Sequence, residues 1–154
     1  MPHSALSAPQ FHAPTGPSRG AAPEVPASVQ HFMGIDFGKK RLGIAVGNRL
    51  SRHATPCKSI TAKGDARLQA VADLVREWEP QALVIGIPFH PDGAEHANTR
   101  AATAFGRQLA LRCRLPVYGV DERYSTTAAL EQGASDPDAA AACIILEQFL
   151  DCLP

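Results

Sequence analysis

The sequence lacks any long hydrophobic run. No apolar stretch approaches the roughly 20 residues that a helix needs to span a bilayer, so a helical membrane protein is excluded and no membrane partner is expected. It also lacks net charge, since 15 Lys and Arg balance 15 Asp and Glu. A protein that holds nucleic acid by bulk charge is strongly basic, so any such contact here must come from a local patch. The four cysteines, Cys57, Cys113, Cys143 and Cys152, include no CxxC pair. A zinc site and a disulfide scaffold are both disfavoured. Reduced thiols, with Cys143 buried inside an apolar run, fit a cytoplasmic protein. No apolar segment follows a basic start, so a secretory signal is not expected. What is present is ordinary for one globular domain: 154 residues, 45% of them hydrophobic, enough to bury a core.

Two regions differ in composition. Residues 1–30 are rich in Ala, Pro, Ser and Gly, with Arg19 and Glu24 the sole charges. Such a stretch has few side chains to offset its ordering entropy, and it reads as a disordered tail. Residues 31–154 read as the folded domain. Phe32–Phe37 is a mostly apolar central strand, Leu42–Val46 pairs with it as a hairpin, and Ala54–Ile60 is a third strand. Pro56 places that third strand at an edge or a bulge. Ala66–Glu79 has helical periodicity through Leu68, Val71, Ala72, Val75 and Trp78, and Pro80 ends it. Ala82–Ile87 is a continuous apolar run, as in a buried parallel strand. A helix over 98–114 carries Ala101, Ala104, Phe105, Leu109 and Leu111, and a strand follows over 116–120. A short helix from about Ser125 to Gln132 stops at Gly133. Asp136 caps a last helix that has Pro137 in its first turn. The order β-β-β-α-β-α-β-α predicts an α/β fold: a mixed five-stranded sheet with helices on both faces.

Acidic residues fall where strands end and helices begin. Asp36 lies near the end of the first strand, Asp121 and Glu122 follow the fifth, and Asp138 opens the last helix. Two carboxylates about 4 Å apart repel by roughly 4 kcal/mol at an effective dielectric of 20. A shared proton or a bound cation must relieve that repulsion. Oxygen-only ligands suit Mg²⁺ or Mn²⁺ rather than zinc. Such ions clamp the attacking and leaving oxygens of a phosphodiester, so metal-assisted hydrolysis of a nucleic-acid backbone is the chemistry this set could support. Asp36 is the hardest of the four to explain by structure, because a carboxylate in an apolar strand is costly unless paired. Asp136 is most simply a cap. Basic residues flank the same positions: Lys39, Lys40 and Arg41 in the first hairpin turn, Arg49 and Arg52 close behind, and Arg123 after Glu122. Arg41 and Arg123 are the preferred phosphate contacts, because a guanidinium grips phosphate bidentately.

Four segments in order resemble the YqgF/RuvX family. They are Gly34-Ile35-Asp36-Phe37-Gly38-Lys39-Lys40-Arg41-Leu42-Gly43, Val84-Ile85-Gly86-Ile87-Pro88 with Asp92-Gly93, Val120-Asp121-Glu122-Arg123-Tyr124-Ser125-Thr126, and Asp138 with Ala141, Ala142, Ile145 and Leu146. The resemblance spans about residues 32–151. It implies a ribonuclease H-like fold and a divalent-metal nuclease that matures the 5′ end of precursor 16S ribosomal RNA. It also implies catalytic roles for Asp36, Glu122 and Asp138, metal contacts from these three and Asp121, and substrate contacts from Lys39, Lys40, Arg41, Arg123 and Ser125. The chain departs from many relatives at Asn48, where they carry an acid, and in a short 127–137 segment that lacks their lysine-rich stretch.

Three other functions compete. A Holliday junction resolvase uses the same chemistry on branched DNA, but it needs two symmetric cuts and hence a dimer; the sequence allows monomer or homodimer. A non-catalytic ribosome-assembly or transcription factor would use the fold only to bind RNA, with ribosomal particles as its partners. A nucleotide-binding ATPase would need a second lobe, which one domain of this size lacks.

Overall fold

The structure, a computed structural model, describes residues 9–14, 24–90, 92–122 and 136–154. The helix expected over 125–132, with Arg123 and Ser125, lies outside the described residues. In chain order the elements are β1 (Phe11–His12), β2 (His31–Phe37), β3 (Leu42–Asn48), β4 (His53–Ile60), α1 (Asp65–Trp78), β5 (Ala82–Ile87), α2 (Ala97–Cys113), β6 (Val117–Asp121) and α3 (Pro137–Asp151). One sheet has the order β1-β6-β5-β2-β3-β4. β2, β3 and β4 form an antiparallel meander, while β5, β6 and β1 join on the other side of β2 in parallel.

Side-chain alternation divides the core into two layers. Met33 and Ile35 of β2 face α1 and α2, where they meet Leu68, Val71, Phe105 and Leu109. Phe32 lies in the opposite layer with Val84, Tyr118 and the α3 residues Ile145, Leu146 and Phe149. β5 sits between β6 and β2 with all six residues buried, which explains its unbroken apolar run. β4 is an edge strand, and its register slips where Ile44 and Ala45 face Lys58 and Pro56. Cys57 is the extra residue of that bulge, and Pro56 beside it has no N–H to lose from the ladder.

The sheet has six strands rather than five. Phe11–His12, within the stretch read from sequence as a tail, pairs in parallel with Val117–Tyr118. Phe11 packs over Gly106, where any Cβ would collide with its ring, and lies close to Gly119, where a Cβ would meet Pro14 first. Val29 is buried in the α3 layer, and Val25 packs against it. Two-residue pairing has no periodicity to read, and its apolar anchors stand singly among Ala and Pro. Other details shift too. Trp78 is half-exposed and Leu111 largely exposed, while Leu74 of α1 is buried. All four cysteines are free, and Cys143 is half-buried.

α3 crosses the sheet so closely that β3 must carry a glycine. A Cβ on Gly43 would lie 1.8 Å from the Asp138 carbonyl oxygen and 2.9 Å from the Ala139 nitrogen. Gly43→Ala is therefore expected to push the first turn of α3 off the sheet and to cost about 1–3 kcal/mol or more. Thermal unfolding should show this as a melting temperature lowered by roughly 2–4 °C per kcal/mol. An unchanged melting temperature would mean that the helix start can slide freely.

Candidate active site

Asp36 is the penultimate residue of β2, and its register partner on β5 is Gly86. Because Gly86 has no side chain, the Glu122 carboxyl occupies that space: a Cβ there would be 2.6 Å from Glu122 Oε2. The missing side chain thus makes room for Glu122, which directly follows β6, beside Asp36 of β2. The Glu122 carboxyl donates a hydrogen bond to the Asp36 carboxylate. Burial, then the negative charge of Asp138, pushes the Asp36 carboxyl up to about 6. Burial, the Asp36 charge and the shared hydrogen bond push Glu122 up to about 8, with Asp121 adding a smaller repulsion. A proton held between two buried carboxyls is the relief that two like charges need in the absence of a cation.

Asp138 stands at the rim of this pair. Asp136 caps α3 by accepting from the Ala139 N–H at 3.1 Å, and Pro137 opens the first turn. Asp138 Oδ2 pairs with Arg41 Nε at 2.9 Å. Ser59 Oγ donates to Asp136 Oδ1 at 2.6 Å and lies 3.4 Å from Asp138 Oδ2, tying β4 to the helix start. Asp121 ends β6, paired with Ile87. Tyr118 and Val120 of β6 lie in the α3 layer, so alternation sends Asp121 toward the other face. The structure thus joins Asp36 to Glu122, sets Asp138 within electrostatic reach of Asp36, and sets Asp121 within electrostatic reach of Glu122.

The basic residues divide in the same manner. Lys39, Lys40 and Arg41 are exposed on the β2–β3 turn, which closes with Gly38 N–H donating to the Arg41 carbonyl at 3.0 Å. Arg49 and Arg52 do not join them. They lie at the far end of β3, where Arg49 donates to the Pro26 and Val29 carbonyls and Arg52 to the Leu150 carbonyl. Their role is to hold backbone together. Sequence reasoning missed Arg67, which is 6% exposed on α1. Its guanidinium donates to the carbonyls of Ala62, Gly38 and Lys39 at 2.9, 2.8 and 3.1 Å, and lies 5.8 Å from the centroid of the Phe37 ring. Arg67 therefore fixes the turn that carries the three cations. The available signal was its spacing: Arg67, Val71 and Leu74 follow the helical stripe of a buried face.

Among the described residues, no three Asp, Glu, His or Cys side chains converge as a metal-binding group. Arg41 accounts for part of this, because it engages the Asp138 carboxylate. The Asp36–Glu122 pair itself offers hard oxygen donors whose mutual repulsion on ionising a divalent cation would relieve. Among the described residues, no helix is long and apolar enough to cross a membrane.

This mixed sheet, with helices on both faces and a carboxyl pair spanning the ends of β2 and β6, is a ribonuclease H-like fold of the nuclease class. The solved Thermus thermophilus RuvC in complex with a Holliday junction substrate has the same fold, with TM-score 0.52 and 16% identity over 79% of this chain and 93% of that one. Residues 30–152 match the family model RuvX, described as Holliday junction resolvase. A protein of Polaromonas sp. named "Putative pre-16S rRNA nuclease" is 60% identical over 137 residues, covering 89% of this chain and 99% of its own length. One of the same name from Albidiferax ferrireducens is 60% identical over 126 residues, covering 82% and 81%. The chain belongs to the RuvX family and is a nuclease, a hydrolase of phosphodiester bonds.

Proposed function

We propose that this nuclease is a divalent-metal-dependent endonuclease acting on structured RNA, and that it matures the 5′ end of precursor 16S ribosomal RNA in the cytoplasm, on or near ribosomal particles. The observation that carries the proposal is the buried Asp36–Glu122 pair, with the Lys39–Arg41 turn beside it. Asp36, Glu122 and Asp138 are its catalytic residues and would hold Mg²⁺ or Mn²⁺, with Asp121 contributing negative charge from behind Glu122. Held there, a divalent cation would supply Lewis-acid polarisation of the scissile phosphate and an activated water. Without a cation Glu122 holds a proton near neutral pH, and a cation binding there would displace it. Lys39, Lys40 and Arg41 hold flanking phosphates, and Arg123 and Ser125 extend that grip along the chain after Glu122. Arg41 links the two functions, since a phosphate that draws its guanidinium away releases Asp138.

The RuvX description as Holliday junction resolvase favours a second reading, paired cuts in branched DNA by a homodimer. Incubating the purified protein and Mg²⁺ with precursor 16S rRNA and with a four-way DNA junction separates the two. Cleavage of the precursor, lost on chelation, is expected. Cleavage of junctions alone would reverse the order. Binding of the precursor with no cut under any divalent ion would leave a non-catalytic assembly factor.

A further inference from the structure

A cavity opens near the carboxyl pair, on the opposite face of the sheet. It lies between the start of α1 and the middle of α2 and encloses about 510 Å³, within the roughly 300–1,000 Å³ range of ligand sites. Its floor is apolar: Phe37, Leu68 and Phe105, with the Phe37 and Phe105 rings 5.2 Å apart. Its rim is cationic, with Lys39 and Lys63 both exposed. The rim's one carboxylate, Asp65, is turned to Arg112 at 2.5 Å. Arg67 forms part of the wall and ties the cavity to the β2–β3 turn through Gly38 and Lys39. Asp36 and Phe37 are consecutive, so their side chains leave opposite faces of the strand at the same end of the sheet. Lys39, two residues on, is shared by the phosphate-holding turn and the cavity rim.

We propose that this cavity is a subsite for an unpaired nucleotide of the substrate strand. The strand rounds the Lys39 turn from the carboxyl pair, its base lies against the apolar floor and its phosphates meet Lys39 and Lys63. Aromatic floors with cationic rims bind single strands without needing base-specific hydrogen bonds. A duplex end is too wide to enter, so the nuclease selects bonds next to single-stranded RNA. The proposal rests on the nuclease reading and names the shape of its substrate.

Two variants test it without touching the core. Ala104→Trp fills the cavity from an exposed position on α2, and Lys63→Glu reverses one rim charge. Fluorescence anisotropy with labelled RNA, in chelator so that nothing is cut, compares a hairpin carrying a single-stranded overhang with the same hairpin made blunt. Each variant is expected to weaken overhang binding by about 5- to 100-fold, the range of one stacked base, and to leave blunt binding unchanged. Circular dichroism confirms that the variants are folded. Equal affinities for overhang in wild type and both variants would overturn the subsite. Equal loss on both RNAs would also overturn it, as would a wild-type dimer abolished by Ala104→Trp, which assigns the cavity to a second copy. A wild type that cuts RNA while the overhang effect is absent keeps the nuclease and loses the subsite. A wild type that cuts no RNA removes the RNA-nuclease reading on which the subsite rests.

Discussion

Asp36→Asn is expected to eliminate RNA cleavage while leaving the protein folded and RNA bound. Asn keeps the shape of the side chain and the register of β2, so neither core layer is disturbed. It removes one of the two charges that make the pair a cation site, and an amide oxygen is a much poorer ligand for a hard divalent ion. Loss of one preorganised charge-stabilising group commonly costs about 10²–10³-fold in turnover, and loss of a metal ligand should cost at least that. The variant should also be the more stable protein at neutral to alkaline pH. Asp36 is the charge that raises Glu122 most, so neutralising it lets Glu122 ionise more easily. A site built from two mutually repelling carboxyls trades stability for function, and removing one charge reverses the trade. Single-turnover cleavage, anisotropy and thermal unfolding on the same preparation check the three parts. Retention of more than about a tenth of wild-type turnover would place the cation elsewhere.

The features legible in the sequence were those set by short-range pattern. The unbroken run Ala82–Ile87 had to be a buried strand, Pro56 had to sit at an edge, and Asp136 had to cap a helix, because each is decided by a few neighbouring residues. The features that were hidden depend on partners far along the chain. Choosing Glu122 over Asp121 as the partner of Asp36 requires the vacancy at Gly86, which no spacing within the Val120–Arg123 segment reveals. Arg41 and Arg52 look alike in sequence, yet one meets a carboxylate and the other a helix carbonyl. Phe11 becomes a strand residue because β6 would otherwise be an open edge, and two glycines there leave room for its ring. Arg67 reads as a surface charge until the carbonyls of the β2–β3 turn appear beside it.

The folded protein without metal should lose stability as pH rises, and Mg²⁺ should restore it. In the unfolded chain Asp36 and Glu122 release their protons near their ordinary values of 3.8 and 4.5, whereas folding pushes them up to about 6 and about 8. Below about pH 4 both states hold both protons, and the pair contributes no pH dependence. Between about 4 and 8 the folded state binds more protons than the unfolded state, so the unfolding free energy falls with rising pH. Above about 8 both states are ionised and the decline ends, leaving a deficit on the order of a few kcal/mol from this pair. A divalent cation binds the ionised pair only in the folded state, adding roughly 2.7 kcal/mol when its concentration is a hundred times its dissociation constant. Its effect on melting temperature should therefore be small near pH 5 and grow through pH 8. In Glu122→Gln both the decline and the Mg²⁺ response should shrink together, because one group causes the larger part of each. Melting curves across this pH range, with chelator or with excess Mg²⁺, measure both slopes. A stability that rises with pH in chelator, or a Mg²⁺ response that survives in Glu122→Gln, would show that the pair is not where the cation binds.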